Sequence, residues 1–355
     1  MEEAGTINLN PMPTGMQDQR SSSPSVLGCR PRHSALSELR DALFESRVTL
    51  GGVSSLPRDL DIRSVGITQI DHDATASEEG LLVCARSTSQ QTFSATTRGR
   101  IEGVPFQLVV ETSLTQPIGG RPARTPFWVS HQSGKPGTAG CVLRDKNHDL
   151  YIVSAAHVIG GIRGEALPGD PVYWAPPITH GPDERWAADD AKIGTFVNGY
   201  FPTENGKNYH DLAIARLDKK HADQFIRAPG IVNIGRLSSF GAAPRLGEPV
   251  SYSPASGERI RTRVRAVDVI AKLDFWGREY VFRELCQIQN RTQATKRRLG
   301  QQGHSGSVVV NGNRQPIGLA FYMDSLSIYT CSMEPVFGDL GLIPWRIEHP
   351  DGMLV

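Results

Sequence analysis

Three short segments carry a histidine, an aspartate and a serine in that order along the chain, and an apolar run lies beside each of them. Residues 151–157 read Tyr-Ile-Val-Ser-Ala-Ala-His, residues 209–215 read Tyr-His-Asp-Leu-Ala-Ile-Ala, and residues 303–307 read Gly-His-Ser-Gly-Ser. Each segment alone is a weak signal. Together, and in this order, they indicate a site for nucleophilic hydrolysis.

The chemistry explains why these residue types are needed. A serine hydroxyl is a weak nucleophile at neutral pH, so a neutral imidazole must take its proton, and a buried carboxylate must hold that imidazole in the right tautomer. We therefore assign His157 as general base, Asp211 as orienting carboxylate and Ser305 as nucleophile. The backbone N–H groups of Gly303 and Ser305 are the candidate oxyanion hole, because a developing oxyanion needs fixed donors.

The motifs resemble those of trypsin-like (chymotrypsin-fold) serine peptidases, in particular the intracellular bacterial and plant branch related to HtrA-like proteases. The resemblance covers about residues 126–355 and implies peptide-bond cleavage without a metal or an organic cofactor. The motifs that carry it are Ala155-Ala-His157, Asp211-Leu-Ala-Ile, and Gly303-His-Ser305-Gly-Ser307 followed by three valines.

Three positions depart from the family pattern. His304 replaces the aspartate that secreted relatives use to bind a new N-terminus, so activation by zymogen cleavage is not expected. We expect the His304 side chain to face solvent, with a role in positioning substrate as the alternative. Ser307 replaces the second glycine of the motif. Leu299 stands where trypsin carries its specificity aspartate, so cleavage after Lys or Arg is not implied.

The resemblance also indicates a substrate-binding region. The strand after the nucleophile contains Leu319, Ala320 and Phe321, and in this family that strand pairs with an extended peptide through backbone hydrogen bonds. Together with Leu299 it predicts a pocket for a small or apolar side chain. Core packing of the same residues is the alternative, and alternation along a strand allows both.

Composition limits the classes of partner. The 355 residues are 39% hydrophobic and carry a formal net charge of +1, so we expect a globular protein that recruits neither nucleic acid nor membrane through its charge. No secretory signal is expected from the N-terminal sequence. Widely spaced cysteines, odd in number, indicate free thiols and a cytoplasmic location; they are Cys29, Cys84, Cys141, Cys286 and Cys331. No metal-binding motif is recognised.

The chain divides into four predicted regions. Residues 1–33 are rich in Pro, Ser, Gly and Gln and predict a disordered tail. Residues 34–118 predict a small α+β domain, with a helix over 34–46 capped by Ser34 and then short strands. Residues 119–136 form a linker and the start of the next region, and residues 137–355 form the protease-like domain.

Short strand candidates alternate with turns from residue 137 onward. They predict two six-stranded antiparallel β-barrels of chymotrypsin-like type, so the fold class is mainly β. The strands expected in the first are 138–144, 149–156, 170–174, 190–199 and 211–217, and those expected in the second are 247–253, 259–270, 279–289, 306–311, 315–322 and 327–334.

Two functional readings stay open. The first is a serine endopeptidase acting on protein or peptide, which could be a regulated enzyme of a bacterial defence or stress pathway. A partner bound to the N-terminal domain would activate it, or would order the polar loop 290–302 with its basic run Lys296-Arg-Arg298. The alternative for this run is an ordinary solvated loop. The second is a catalytically silent pseudoprotease or scaffold that binds peptide in the same cleft.

Overall fold

The structure, a computed structural model, describes thirteen stretches of the chain. All structural statements below concern these residues, which are 31–45, 60–71, 77–87, 95–101, 103–111, 116–117, 128–174, 192–204, 206–221, 242–255, 258–290, 299–325 and 327–344. The predicted tail up to residue 30 and the basic run Lys296-Arg-Arg298 lie outside them.

Strands dominate the described residues. The three helices are α1 (Pro31–Phe44), α2 (Ala156–Ile159) and α3 (Glu334–Phe337). The strands are β1 (Leu60–Asp71), β2 (Ser77–Ser87), β3 (Ala95–Ile101), β4 (Val104–Glu111), β5 (Gln116–Pro117), β6 (Trp128–His131), β7 (Gly137–Thr138), β8 (Cys141–Arg144), β9 (Leu150–Ser154), β10 (Pro171–Trp174), β11 (Lys192–Tyr200), β12 (Leu212–Leu217), β13 (Pro249–Tyr252), β14 (Ile260–Phe275), β15 (Arg278–Gln289), β16 (Val308–Asn311), β17 (Pro316–Met323), β18 (Ser327–Cys331) and β19 (Ile343–Pro344).

The first sheet has eight strands in the order β19-β8-β9-β12-β11-β10-β6-β7. Its six longer strands are flanked by two-residue strands at both ends. Neighbours are antiparallel, as where Ile214 of β12 pairs with Val153 of β9. These two strands matter most for function, because the histidine segment follows β9 and the aspartate directly precedes β12.

The second sheet contains a closed ring of six strands in the order β13-β16-β17-β18-β15-β14, and the pairing of β13 with β14 closes it. All six strands contribute to one buried cluster, which includes Val250, Ile260, Ile288, Val309 and Ile328. The opposite faces of the same strands join a larger cluster with the first sheet, for example Phe321 with Ile152. The two sheets therefore pack directly against each other.

The N-terminal strands continue the second sheet. β1 pairs antiparallel with β14, Val65 lying opposite Ile270, and the order then runs β1-β2-β4-β3. One face of this extension carries Leu81 and Val83 and packs against α1. The other face carries Leu82 and Cys84 and belongs to the core between the two sheets. Alternation along β2 thus supplies both layers.

The prediction of a mainly β fold is confirmed, and the strands expected after residue 137 are observed with small changes of boundary. Two local expectations are wrong. The first helix begins at Pro31, so Ser34 lies inside it and not at its N-terminal cap position. The strand before the histidine ends at Ser154, because residues 156–159 form α2. The division of the chain into domains stays a prediction.

Two further observations concern the described residues alone. Cys141, Cys286 and Cys331 are buried free thiols, as expected, and Cys84 is also buried. No helix in these stretches is long and apolar enough to span a membrane.

Candidate active site

His157 lies in the first turn after β9. The buried small residues Ala155 and Ala156 let the chain turn immediately into α2, and the histidine is 3% exposed. Its ring is flanked by two aromatic rings from the turn between β14 and β15, Phe275 at 5.8 Å and Trp276 at 6.3 Å between centroids. The imidazole is therefore held in a largely apolar wall.

Asp211 directly precedes β12 and is fully buried. Both of its carboxylate oxygens bind the histidine. The backbone N–H of His157 donates to Oδ1 at 3.0 Å, and Nδ1 of the ring lies 2.5 Å from Oδ2. A carboxylate is an acceptor only, so Nδ1 carries the proton and Nε2 of the neutral ring is left as an acceptor.

Ser305 lies in the turn before β16, with its Oγ 3.0 Å from Nε2 of His157. The same Oγ lies 3.0 Å from the backbone carbonyl of Phe321. A hydroxyl has one proton, so it can be directed to the imidazole or to the carbonyl, and donation to Nε2 is the arrangement that precedes nucleophilic attack. The structure thus brings together all three residues assigned from the sequence.

The segment that carries Ser305, residues 301–307, is called the nucleophile turn here, and it depends on a glycine. The N–H of His304 donates to the carbonyl of Gln301, which closes a four-residue turn with Gly303 in its third position. Gly303 has φ +92°, the left-handed value that this position of a type II turn requires. A Cβ at residue 303 would also overlap the ring of Trp128. Both the backbone and the space therefore require glycine here.

The backbone N–H groups of Gly303 and Ser305 are available to a ligand. Among the residues that the structure describes, neither group has a hydrogen-bond acceptor, whereas the N–H groups of Gly306 and Ser307 donate to the carbonyls of Ala320 and His304. Unpaired donors beside a nucleophile are what an oxyanion hole offers.

His304 is buried, so the expectation that it faces solvent is wrong. Its Nδ1 lies 3.3 Å from the hydroxyl of Tyr252 and accepts the N–H of Gln301 at 3.3 Å. Burial lowers the pKa of His304 to about 4, so the ring is neutral at neutral pH. Its ring stabilises the nucleophile turn from the buried side through the hydrogen bond from Gln301.

The residues predicted to bind substrate contribute mostly to the core. Leu319, Ala320 and Phe321 are fully buried, and Phe321 stacks on Phe275. Leu299 is half-buried against the cluster inside the six-stranded ring. The core alternative therefore describes these side chains, while the backbone of β17 still faces the nucleophile through the Phe321 carbonyl. Their role in binding substrate stays a prediction.

The next two residues of β17 are already paired. β5 runs antiparallel to them, with Pro117 opposite Tyr322 and Gln116 opposite Met323. An extended peptide that paired with this part of β17 would compete with β5, because a strand edge has one row of backbone groups.

Sequence reasoning missed three residues that contact the site: Thr138, Trp128 and Phe275. A signal for the first exists in the small-residue run Gly-Thr-Ala-Gly over 137–140. A Cβ on Gly140 would overlap the carbonyl of Gly306, so the run permits close approach to the nucleophile turn. Among the described residues no group of three or more His, Cys, Asp and Glu side chains could hold a metal ion.

No protein-family model matches this chain, and no curated protein matches it either. The structure is similar to that of a Nocardiopsis protease (13% identity, TM-score 0.39, covering 62% of this chain and 98% of the other). It is similar to Thermobifida fusca protease A (14% identity, TM-score 0.40, 62% and 97%). A third similar structure is a glutamic-acid-specific serine protease that uses a histidine triad in substrate binding (13% identity, TM-score 0.41, 63% and 100%).

Proposed function

We propose that this chain is a serine endopeptidase that cleaves peptide bonds through an acyl-enzyme on Ser305. The observation that carries the proposal is the unbroken line of contacts from Asp211 to His157 at 2.5 Å and from His157 to Ser305 at 3.0 Å. The proposal rests on this geometry and not on the similar structures, whose identities and TM-scores are low.

Acylation begins when Ser305 Oγ attacks the carbonyl carbon of the scissile bond and its proton passes to Nε2 of His157. The imidazolium that forms is stabilised by Asp211, which keeps its own charge. The carbonyl oxygen becomes an oxyanion that accepts the N–H groups of Gly303 and Ser305. The imidazolium then protonates the leaving amine, the C–N bond breaks, and the acyl-enzyme remains.

Deacylation repeats these steps with water. His157, neutral again, takes a proton from a water molecule whose oxygen attacks the ester carbonyl. The second tetrahedral intermediate breaks its bond to Ser305 Oγ, and the serine takes back its proton from the imidazolium. The products are a carboxylic acid and an amine, and no cofactor is consumed.

The substrate class that fits is an extended protein or peptide segment. Such a segment adds a strand to β17 beside Ser305 and displaces β5 from Tyr322 and Met323. The neighbouring half-buried Leu299 favours a small or apolar side chain before the cleaved bond over a basic one.

Two observations favour a second function. Ser305 is fully buried, and β5 pairs with the strand edge next to it. A protein that only binds peptide in this cleft would keep the same fold without turnover. The alternative is therefore a silent peptide-binding pseudoprotease.

Hydrolysis of a denatured-protein substrate by the wild type and by Ser305→Ala separates the two functions. Ser307→Ala is the matched control, because Ser307 is an equally buried serine two residues away whose Oγ has no partner among the described residues. The protease proposal predicts activity in the wild type and in Ser307→Ala and none in Ser305→Ala. Equal turnover in all three, or in none, contradicts it.

We also propose a cytoplasmic location. It is supported by the free, buried thiols of Cys141, Cys286 and Cys331. Burial raises the pKa of the thiols of Cys141, Cys286 and Cys331 to about 12, so they are unreactive structural thiols. Thiols that form no disulfide are typical of proteins in a reducing compartment.

A further inference from the structure

Thr138 is a buried residue of the first sheet that contacts the nucleophile turn at two points. It is 1% exposed and lies on β7, 165 residues before Gly303 in the sequence. Its backbone N–H donates to the carbonyl of Ser305 at 2.7 Å. Its hydroxyl donates to the carbonyl of Gly303 at 2.8 Å. One residue thus binds the carbonyls of both residues whose N–H groups form the proposed oxyanion hole.

Thr138 also contacts a second segment of the second sheet and a strand of its own sheet. Its Oγ1 accepts the N–H of Ala255, just after β13, at 3.0 Å, and its carbonyl accepts the hydroxyl of Ser154 at 2.8 Å. All polar groups of the threonine are therefore used, and each has a single orientation. The carbonyl of Gly303 thus binds a hydroxyl that also accepts the N–H of Ala255, on a residue whose backbone carbonyl is held by Ser154.

Gly303 is the residue of the turn that most needs such a tie. It has φ +92° and no side chain, so its backbone has more freedom than any other residue would have. A bond to its carbonyl fixes the peptide plane between Gly303 and His304. The planes on either side of it carry the N–H groups of Gly303 and Ser305, so their rotation is limited through this fixed plane. Thr138 and the nucleophile turn are closely packed, because a Cβ on Gly306 would overlap the carbonyl of Thr138.

We propose that Thr138 is a positioning residue that holds the nucleophile turn so that the N–H groups of Gly303 and Ser305 face the developing oxyanion. The inference rests on the proposed protease function for its kinetic consequence. It rests on the hydrogen bonds alone for its structural one.

The kinetic test compares Thr138→Val, which keeps the shape and removes the hydroxyl, with Thr138→Ser, which restores it. Thr68→Val is the matched control, since buried Thr68 also donates to a carbonyl, that of Arg265, far from the site. Misplaced oxyanion donors weaken transition-state binding, so Thr138→Val should lose about 10–100-fold in kcat with little change in KM. Thr138→Ser should recover most of that loss, and Thr68→Val should keep wild-type kcat.

A second readout does not depend on turnover. Hydrogen exchange of the amides in residues 299–307 should be faster in Thr138→Val than in the wild type, and near wild type in Thr138→Ser and Thr68→Val. Unchanged exchange in Thr138→Val overturns the inference, as does a kcat equal to that of Thr68→Val. If the wild type cleaves nothing, the protease proposal fails, and the exchange comparison still decides whether Thr138 holds the turn.

Discussion

At the scale of single residues, the site depends on how Asp211 uses its two oxygens. One accepts the backbone N–H of His157 and the other lies against Nδ1 of its ring. The carboxylate therefore fixes the position of the histidine and its tautomer together. An amide in its place keeps the shape and can satisfy only one of these two donors as an acceptor.

Asp211→Asn should therefore fold and lose most of its activity. With the amide NH₂ facing Nδ1, the ring would carry its proton on Nε2 and could not accept from Ser305. The expected fall in kcat is about 10⁴-fold. Initial rates on a peptide substrate at constant protein concentration measure it, with Ser305→Ala as the background. A loss of less than about tenfold would show that the pair does not work as assigned.

His304 makes a prediction about pH and stability. Burial lowers its pKa to about 4 from the 6.5 of an exposed histidine. Between these values the unfolded chain binds more protons than the folded one, so the free energy of unfolding falls as the pH falls from 6.5 toward 4. Above pH 6.5 His304 is neutral in both the folded and the unfolded chain, so it no longer makes the free energy of unfolding depend on pH.

The variant His304→Asn isolates that pH dependence, because the asparagine oxygen can replace Nδ1 as the acceptor and does not titrate. Urea midpoints at pH 7, 6 and 5 should fall more steeply for the wild type than for the variant. Parallel curves for the two proteins would contradict the assignment of a buried, neutral His304.

The sequence indicates His157, Asp211 and Ser305 because each belongs to a recognisable local motif at a strand end. Their distances could not be predicted, because residues from two sheets meet only in the folded chain. Thr138 was missed for a related reason. A threonine between a glycine and an alanine shows no sign of a function in the local sequence, because its role comes from a contact 165 residues away.

At the scale of elements, the nucleophile turn is the most demanding piece of backbone in the site. It combines a left-handed glycine with the ring of Trp128 against the place where a side chain would begin. The turn 245–248 offers a comparison, since the N–H of Glu248 donates to the carbonyl of Arg245 and Gly247 has φ +71° in the same third position. Nothing lies near a Cβ on Gly247.

Gly303→Ala and Gly247→Ala should therefore differ in stability. Backbone strain alone should cost Gly247→Ala about 1 kcal/mol, while Gly303→Ala adds the overlap with Trp128 and should cost about 2–4 kcal/mol. Only Gly303→Ala should lose activity. Urea unfolding and kcat measure the two effects. Equal stability of the two alanine variants would mean that Trp128 does not confine the turn.

Strand positions were largely predictable because period-two patterns and turn residues mark them locally. The predicted strands 170–174 and 211–217 match β10 and β12 within one residue. β6 and β7 were less visible, since β6 has four consecutive buried residues and shows no alternation. The short α2 escaped for another reason, because four residues are too few to show helical periodicity.

At the scale of the whole molecule, the N-terminal strands and the two sheets share one hydrophobic core. Leu82 and Cys84 of β2 lie in the same buried cluster as Phe321 and Ile152. The pairing of β1 with β14 adds a backbone ladder whose register shifts between Val65 and Ile67. This pairing joins residues far apart in the sequence, such as Val65 and Ile270, so no local pattern could predict it, and the division near residue 118 stays a prediction.

Leu82→Ala should then destabilise the site region together with the N-terminal strands. Removing a buried leucine side chain costs about 2–5 kcal/mol. Tryptophan fluorescence, which includes Trp128 and Trp276 near the site, and hydrogen exchange of β1 and β2 should report one common loss of stability. If fluorescence near the site is unaffected while β1 and β2 exchange faster, the two parts do not share a cooperative core.

The most direct test of the central claim is labelling by a fluorophosphonate probe, which reacts with a serine only when a base activates it. The purified wild type and Ser305→Ala are treated in parallel, and the labelled peptide is mapped by mass spectrometry. The account predicts one label, on Ser305, in the wild type alone. No label on Ser305 in the folded wild type would contradict the assignment of an assembled Asp211–His157–Ser305 site and would favour the silent peptide-binding function.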